Sequence, residues 1–173
     1  MNIYLDMDGV LADFDAGIIA GGGVPVPHVK ARSAMTPAEL KADDKIISIM
    51  GAPDFFARLP VLKGADRLLE AVALIPDADI CILSAVPGEP LDSASCIDGK
   101  YRWLRQHAPL LANRAIFCRA REKQDYANSD AILIDDHPRN CSEWRERGGV
   151  AIQHHDIDDT LARLRSVTRK IAA

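Results

Sequence analysis

The chain has 173 residues, of which 48% are hydrophobic and 27% are charged, and its formal net charge is −4. This length suits one domain with room for a modest insertion, and the composition is sufficient to fill a buried core. The negative net charge excludes a global basic field that would recruit a nucleic-acid polymer. We expect no membrane partner, because no apolar stretch approaches ~20 residues and the N-terminus lacks a signal-peptide pattern.

The first predicted element is a strand, Ile3–Leu5, that ends on two acidic residues. Its residues are apolar and β-forming, and Asp6 and Asp8 follow with Gly9 directly behind them. Two carboxylates this close repel each other unless a cation lies between them or one carries a proton. Mg²⁺ prefers hard oxygen ligands of this kind. A lone D-x-D motif is nevertheless a weak signal, because an ordinary acidic turn has the same pattern.

The next segment, residues 16–60, departs from a simple strand–helix pattern. Glycines and prolines within residues 21–27 interrupt any regular element. The sequence Thr36-Pro37-Ala38-Glu39 is a capping box with proline at the first helical position, and it predicts a helix to about Met50. We therefore predict a small, mostly helical cap, inserted after the first strand and too small to fold independently.

From Gly64 onward, predicted helices and strands alternate. This alternation predicts an α/β protein with a Rossmann-like, three-layer parallel sheet. The predicted strands are Ala78–Leu83, Ala115–Cys118, Ala131–Ile134 and Val150–Gln153. The helices between and after them include a first one over Leu68–Ile75, one capped by Asp98, one at about Arg139–Arg147 and a closing one that carries Leu161 and Ile171.

Polar residues recur where these later strands end. Ser84 closes the second strand, Lys123 follows the third in a predicted loop, and Asp135 and Asp136 end the fourth. The carboxyl ends of parallel strands meet at one edge of a sheet, so we expect these side chains to lie near the first acidic pair. Taken singly, serine is a common turn former and lysine is usually solvated. Asn140 is expected either to hydrogen-bond the acidic loop or simply to begin a helix.

The order D-x-D, Ser, Lys, D-D resembles the four-motif series of the haloacid dehalogenase superfamily and covers nearly the whole chain. The resemblance implies a Mg²⁺-dependent phosphohydrolase that forms an aspartyl-phosphate. It also implies a role for each matched residue: Asp6 as nucleophile, Asp8 as general acid and base, Ser84 and Lys123 as phosphate ligands, Asp6, Asp8 (through its carbonyl) and Asp135 as metal ligands, and Asp136 in support of the metal site.

Further segments resemble the cytosolic 5′(3′)-deoxyribonucleotidases, among them Asp6–Phe14, Leu59–Ala65 and Lys100–Trp103. This resemblance implies a nucleoside monophosphate substrate, with Phe14, Phe55 and Phe56 as candidates to stack on the base. Aromatic residues also bury large areas in a cap core, and at most one of the adjacent pair need face the substrate. The segment Ser84–Pro87 has one hydroxyl fewer than the family pattern, and the preference for base and sugar stays open.

Three other functions remain to be weighed. A phosphatase for a sugar phosphate or another small phosphomonoester would use the same catalytic residues with a different cap. A phospho-accepting receiver is disfavoured because receivers place the adjacent acidic pair first, whereas here it comes last. A non-catalytic binding protein is disfavoured because every chemical position is occupied.

The remaining expectations concern histidines, thiols and partners. His154 and His155 are interpreted as loop residues, since neighbours on a strand point to opposite faces and share one ion poorly. The cysteines lack C-x-x-C spacing, which predicts reduced thiols and a cytoplasmic protein. The expected partner is a small phosphomonoester, and a homodimer is left open.

Overall fold

The computed structural model describes residues 1–25 and 32–171. Residues 26 and 27 of the predicted chain-breaking segment, and with them a part of the predicted cap, lie outside the described residues. Among the described residues, no helix combines the length and the apolar character that a membrane crossing requires.

Five parallel strands form a single sheet in the order β3-β2-β1-β4-β5, with β1 in the centre. This arrangement confirms the predicted α/β class and parallel sheet. The strands are β1 (Asn2–Leu5), β2 (Asp79–Ala85), β3 (Ala115–Cys118), β4 (Ala131–Asp135) and β5 (Val150–Gln153).

Seven α-helices connect or flank these strands in the described part of the chain. They are α1 (Phe14–Ala20), α2 (Pro37–Met50), α3 (Ala65–Ala73), α4 (Ser93–His107), α5 (Pro109–Ala112), α6 (Pro138–Glu146) and α7 (Ile157–Ile171). Short 3₁₀ helices cover Arg32–Ala34, Phe56–Arg58 and Ala120–Tyr126.

Alternation along β1 shows why helices cover both faces of the sheet. Ile3 and Leu5 are fully buried in the larger core cluster, which also contains residues of α3, α4 and α7. Tyr4 points to the opposite face and packs against Trp144 of α6 in a second cluster. Both faces of each central strand are therefore apolar, as expected for a parallel sheet between two helical layers.

The predicted capping box of α2 is confirmed. The Glu39 backbone N–H donates to the Thr36 hydroxyl, and the Thr36 backbone N–H donates to the Glu39 carboxylate at 2.7 Å. The described helices between β1 and α3 also share a small core of their own, formed by Ile18, Ile46 and Ile49. A mostly helical insertion is consistent with these elements, and its role as a cap stays a prediction.

Three local predictions differ from the structure. Helix α4 begins at Ser93, where the Asp92 carboxylate accepts two backbone N–H groups, so the prediction of Asp98 as its cap is wrong. Strand β2 was predicted to close at Ser84 but continues to Ala85, so the serine lies one residue before the end of the strand. The predicted loop that carries Lys123 is a 3₁₀ helix.

Candidate active site

The turn after β1 directs Asp6 and Asp8 to the same place. The Asp6 backbone N–H still pairs with β4, and the buried Met7 side chain points into the core between the two acids. Since alternate residues of an extended chain face opposite sides, the two carboxylates project together away from that core. The Met7 carbonyl accepts the N–H groups of Leu11 and Ala12 at 2.8 Å, which closes the turn.

Gly9 allows Asp136 to approach this turn. Its φ of +73° lies in the left-handed region that side chains rarely adopt. A Cβ at this position would lie only 2.3 Å from Oδ2 of Asp136. The glycine is therefore required both by its backbone conformation and by the carboxylate that packs against it.

Asp135 is held by hydrogen bonds on both of its oxygens. Oδ1 accepts the His137 backbone N–H at 2.8 Å, and the Asn140 side-chain amide donates to both oxygens at 3.0 and 3.1 Å. Lys123 donates to Oδ2 at 2.6 Å. The prediction that Asn140 hydrogen-bonds the acidic loop is therefore confirmed.

Lys123 connects the acidic residues at the ends of β1 and β4. Its ammonium lies 2.8 Å from Oδ2 of Asp6 and 2.6 Å from Oδ2 of Asp135, and its side chain is only 1% exposed. Burial alone would lower the pKa of Lys123, but the negative charges of Asp6 and Asp135 raise that pKa above its ordinary value. The lysine is therefore a buried, permanently charged group, unlike an ordinary surface lysine.

The four acidic side chains have the character of a cation site. One carboxylate oxygen from each of Asp6, Asp135 and Asp136 lies within 4.8 Å of the others. With Asp8, four carboxylates face two buried ammonium groups, those of Lys100 and Lys123, so carboxylates are in surplus at the site. A divalent cation with oxygen ligands would balance this surplus, so the residues present fit such an ion. Asp136 was expected only to support the site, and its carboxylate belongs to the same cluster as those of Asp6 and Asp135.

The two acids of the D-x-D motif differ in their ionisation. Burial would raise the pKa of Asp6, but the Lys123 and Lys100 ammonium groups outweigh it and lower that pKa below its ordinary value. Burial raises the pKa of Asp8, a shift that Lys100 opposes and the charge of Asp6 strengthens. Of these two acids, Asp6 therefore gives up a proton more readily than an ordinary aspartate, and Asp8 takes one up more readily.

Lys100 was not predicted from the sequence to be a site residue. It lies in α4, its side chain is fully buried, and it donates to Asp8 Oδ2 and to the Ser84 hydroxyl, each at 2.7 Å. The segment Lys100–Trp103, which resembles the deoxyribonucleotidases, contains this lysine. A lysine in a helical pattern nevertheless carries no local sign of burial. The same contact explains the environment of Ser84, which is also fully buried.

A cavity of about 580 Å³ is lined by Asp6, Asp8 and Asp136, whereas Ser84, Lys100, Lys123 and Asp135 are not among its lining residues. Its polar floor includes Asp6, Asp8, Asp136 and Asn140, and its apolar wall is formed by Phe14, Met50, Phe56 and Leu62. We call these last four residues the apolar wall. Cavities of this size accommodate small organic ligands.

The three predicted stacking residues are placed differently from one another. Phe14 and Phe56 line the cavity, whereas Phe55 is not among its lining residues and instead borders a neighbouring cavity of about 560 Å³. Phe55 packs edge-to-face on Phe14 and on Phe56, with ring centroids 5.7 and 5.0 Å apart. It therefore supports the two rings that face the cavity.

His154 and His155 follow β5, in agreement with their interpretation as loop residues, but both line the cavity. His154 is buried and shares a hydrogen bond of 2.8 Å with the Thr160 hydroxyl. His137, the N-cap residue of α6, lines the same cavity. No sequence signal linked these loops, which meet only because β4 and β5 are neighbours.

Comparison with known proteins gives consistent results. The model of the protein family described as 5′ nucleotidase, deoxy (pyrimidine), cytosolic type C matches residues 27–166. The human cytosolic-type 5′(3′)-deoxyribonucleotidase is 32% identical over 148 residues, which cover 79% of this chain and 70% of that protein. A putative 5′(3′)-deoxyribonucleotidase of Acanthamoeba polyphaga mimivirus is 33% identical over 145 residues, which cover 80% of this chain but only 64% of the relative.

A solved structure supports the fold. The haloacid dehalogenase-like hydrolase from Streptococcus pneumoniae superposes with a TM-score of 0.54 and 16% identity, over 93% of this chain and 89% of that one. At this identity the similarity concerns the fold alone, and it agrees with the parallel sheet described above.

Proposed function

Because the chain belongs to the family of cytosolic type C 5′ nucleotidases, we propose that it is a Mg²⁺-dependent hydrolase of (deoxy)ribonucleoside monophosphates. Its human and viral relatives are both named as 5′(3′)-deoxyribonucleotidases, which supports a nucleotide as the substrate. The four free cysteines and the cytosolic type of the human relative support a cytoplasmic location.

The observation that carries the proposal is the pairing of two carboxylates with opposite pKa shifts beside a buried lysine. Asp6, whose pKa is lowered, is the nucleophile that attacks phosphorus, and Asp8, whose pKa is raised, gives its proton to the leaving oxygen as the ester bond breaks. Pairs of acids whose environments separate their pKa values commonly divide the two roles in this way.

The second step reverses the role of Asp8. Once deprotonated, its carboxylate accepts a proton from the water that attacks the phosphoryl group on Asp6, and inorganic phosphate leaves as the Asp6 carboxylate is restored. Lys123 and Ser84 are the proposed ligands of the phosphoryl oxygens. Lys123 also screens the repulsion between an anionic nucleophile and an anionic substrate.

The metal would be held by the carboxylates of Asp6, Asp135 and Asp136, with the Asp8 carbonyl implied by the family resemblance. When bound, Mg²⁺ would neutralise phosphoryl charge and orient the substrate. Asn140 and the His137 backbone N–H hold Asp135 in the orientation that such a site requires.

The apolar wall supports a nucleoside rather than a fully polar leaving group. Phe14 and Phe56 present ring surfaces to the cavity, and Met50 and Leu62 extend the apolar surface between them. A base packed against these side chains would bury apolar area that a sugar phosphate cannot offer.

The test is an assay of phosphate release from deoxy- and ribonucleoside monophosphates and from sugar phosphates, with Mg²⁺ or with EDTA. We expect Mg²⁺-dependent release from nucleotides and a loss of at least about 1,000-fold in Asp6→Asn, which keeps the shape but removes the nucleophile. The matched control is Asp130→Asn, an exposed acid that precedes β4, at the opposite end of that strand from Asp135.

Each result has a defined consequence. Release from sugar phosphates alone would retain the catalytic residues and contradict the nucleotide assignment. Activity unchanged in Asp6→Asn would contradict the proposed mechanism as a whole.

A further inference from the structure

Lys100 has a set of hydrogen bonds that uses its whole donor capacity. Its ammonium donates to Asp8 Oδ2 at 2.7 Å, to the Ser84 hydroxyl oxygen at 2.7 Å and to the Ala85 carbonyl at 2.9 Å. A lysine ammonium has three N–H donors and no acceptor. These three contacts therefore leave no N–H for a substrate, which separates Lys100 in kind from a phosphate ligand.

Burying an ammonium group in this position costs free energy, and the close packing of α4 holds the group there. The side chain is fully buried, and an unpaired charge there would be strongly destabilising. The neighbouring Gly99 lets α4 approach the 3₁₀ turn at Phe56, because a Cβ at this position would lie 3.1 Å from the Phe56 Cβ. The same approach places the Phe56 ring centroid 5.1 Å from the Lys100 ammonium.

The contacts of Lys100 determine the direction of two neighbouring groups. Because Lys100 can only donate, the Ser84 oxygen accepts from it, and the Ser84 O–H must point elsewhere. Because Asp8 Oδ2 faces an ammonium, an acidic proton on Asp8 belongs on the other oxygen. That oxygen, Oδ1, is buried and has no hydrogen-bond partner among the described residues, and Asp8 is one of the residues that line the cavity.

We propose that Lys100 is a positioning residue that orients Asp8 Oδ1 towards the leaving oxygen and the Ser84 hydroxyl towards a phosphoryl oxygen. This inference rests on the proposed phosphatase function. Lys100 acts through Asp8 and Ser84 and touches no reacting atom, whereas Lys123 contacts the nucleophile Asp6 directly.

The kinetic test uses two substrates that differ in their need for a proton. A nucleoside leaves as a poor alkoxide and requires protonation by Asp8, whereas p-nitrophenyl phosphate releases a stable anion. In Lys100→Met, which keeps the length and removes the donors, we expect kcat/KM to fall about 100-fold for the nucleotide but only about 10-fold for p-nitrophenyl phosphate, because the second substrate loses the orientation of Ser84 and does not need the proton of Asp8. Asp8→Asn should show the same selectivity.

Two further variants separate positioning from a general loss of structure. Lys123→Met should lower kcat/KM for both substrates by similar factors, because phosphoryl oxygens are common to them. In an Asp8→Asn background, Lys100→Met should add only the roughly 10-fold loss seen with p-nitrophenyl phosphate, which comes from Ser84, since Lys100 and Asp8 act as a unit in protonation. Equal loss on both substrates in Lys100→Met, or full additivity with Asp8→Asn, would overturn the proposal.

A structural measurement decides the matter without activity. We expect crystal structures of the wild-type protein and of Lys100→Met, each with Mg²⁺ and inorganic phosphate, to differ in the side-chain torsions of Asp8 and Ser84. Unchanged torsions would refute positioning by Lys100. If Lys100→Met does not fold, Lys100→Leu, which also removes every donor, serves in both experiments. A wild-type protein inactive on every phosphomonoester would contradict the proposed function, while these torsions would still test Lys100.

Discussion

The polar floor and the apolar wall of the cavity are held in place by different forces. Asp6 on the floor is connected through the buried Lys123 to the buried Asp135 by charge-assisted hydrogen bonds of 2.8 and 2.6 Å. On the wall, Phe14 and Phe56 are supported by edge-to-face contacts with Phe55 and by the small cluster of the helical insertion. The side chains of the floor are thus held in particular orientations, whereas the wall depends mainly on the volume that its apolar side chains fill.

This difference indicates how the two regions respond to change. Charge-assisted hydrogen bonds require particular atoms at particular angles, so a small displacement costs a large part of their energy. Apolar packing tolerates substitutions that preserve volume. We therefore expect the phosphate chemistry to be sensitive to single changes near the floor and the substrate preference to be adjustable through the wall.

The largest effect among the following variants is expected for Gly9→Ala. The added Cβ would meet Asp136 Oδ2 at 2.3 Å in a backbone conformation that alanine rarely adopts, so it would displace the carboxylate from the site. We expect Mg²⁺-dependent phosphate release to fall about 100-fold, as for the loss of a group that supports a metal site. This loss is measured by following phosphate release as a function of Mg²⁺ concentration.

The matched control is Gly148→Ala. Gly148 has a φ of +87°, but a Cβ there would have no neighbour within 4 Å, so the variant has the backbone strain without the collision. Near wild-type activity in this control assigns the Gly9→Ala effect to Asp136. Equal activity losses in the two variants would contradict that explanation.

A smaller effect on the floor is expected for Asn140→Ala. The variant removes the amide that donates to both oxygens of Asp135 and leaves the carboxylate less well oriented. Loss of such a partner is expected to weaken Mg²⁺ binding about 10-fold, measurable by calorimetry. Ser142→Ala, an exposed change on the same helix, should leave Mg²⁺ affinity unchanged. Unaltered affinity in Asn140→Ala would show that the amide does not support the ion.

On the apolar wall, Phe14→Ala is expected to change specificity rather than catalysis. Its ring faces the cavity, so the variant should raise KM for a nucleoside monophosphate about 10-fold and leave KM for a small sugar phosphate nearly unchanged. Steady-state kinetics with both substrates measure the ratio. A parallel loss with the two substrates would mean that Phe14 does not contact the base.

The smallest effect on kinetics is expected for Phe55→Ala. This ring lies behind Phe14 and Phe56, so its removal should lower the free energy of unfolding by about 2 kcal/mol, less than for a fully buried phenylalanine. Urea denaturation measures this change, and KM for nucleotides should rise less than in Phe14→Ala. A larger KM effect at Phe55 than at Phe14 would reverse the proposed assignment of the two rings.

Much of the fold was predictable because its signals are local. The runs Ala115–Cys118 and Val150–Gln153 were predicted with the observed bounds, since short apolar segments between polar turns have few other stable forms. The capping box at Thr36 likewise depends on residues only three positions apart. Asp98 was predicted as a cap because an acid before a helical pattern is ambiguous when another acid, Asp92, lies six residues earlier.

Local patterns show which acids end which strands, and parallel pairing then requires Asp6, Asp8, Asp135 and Asp136 to share one edge of the sheet. That Lys100 belongs to that site, and that Phe56 rather than Phe55 faces the cavity, follows only from the folded chain. Burial of a helical lysine, or the direction of one ring in an adjacent pair, depends on what packs against it from distant parts of the chain. No local pattern encodes those contacts.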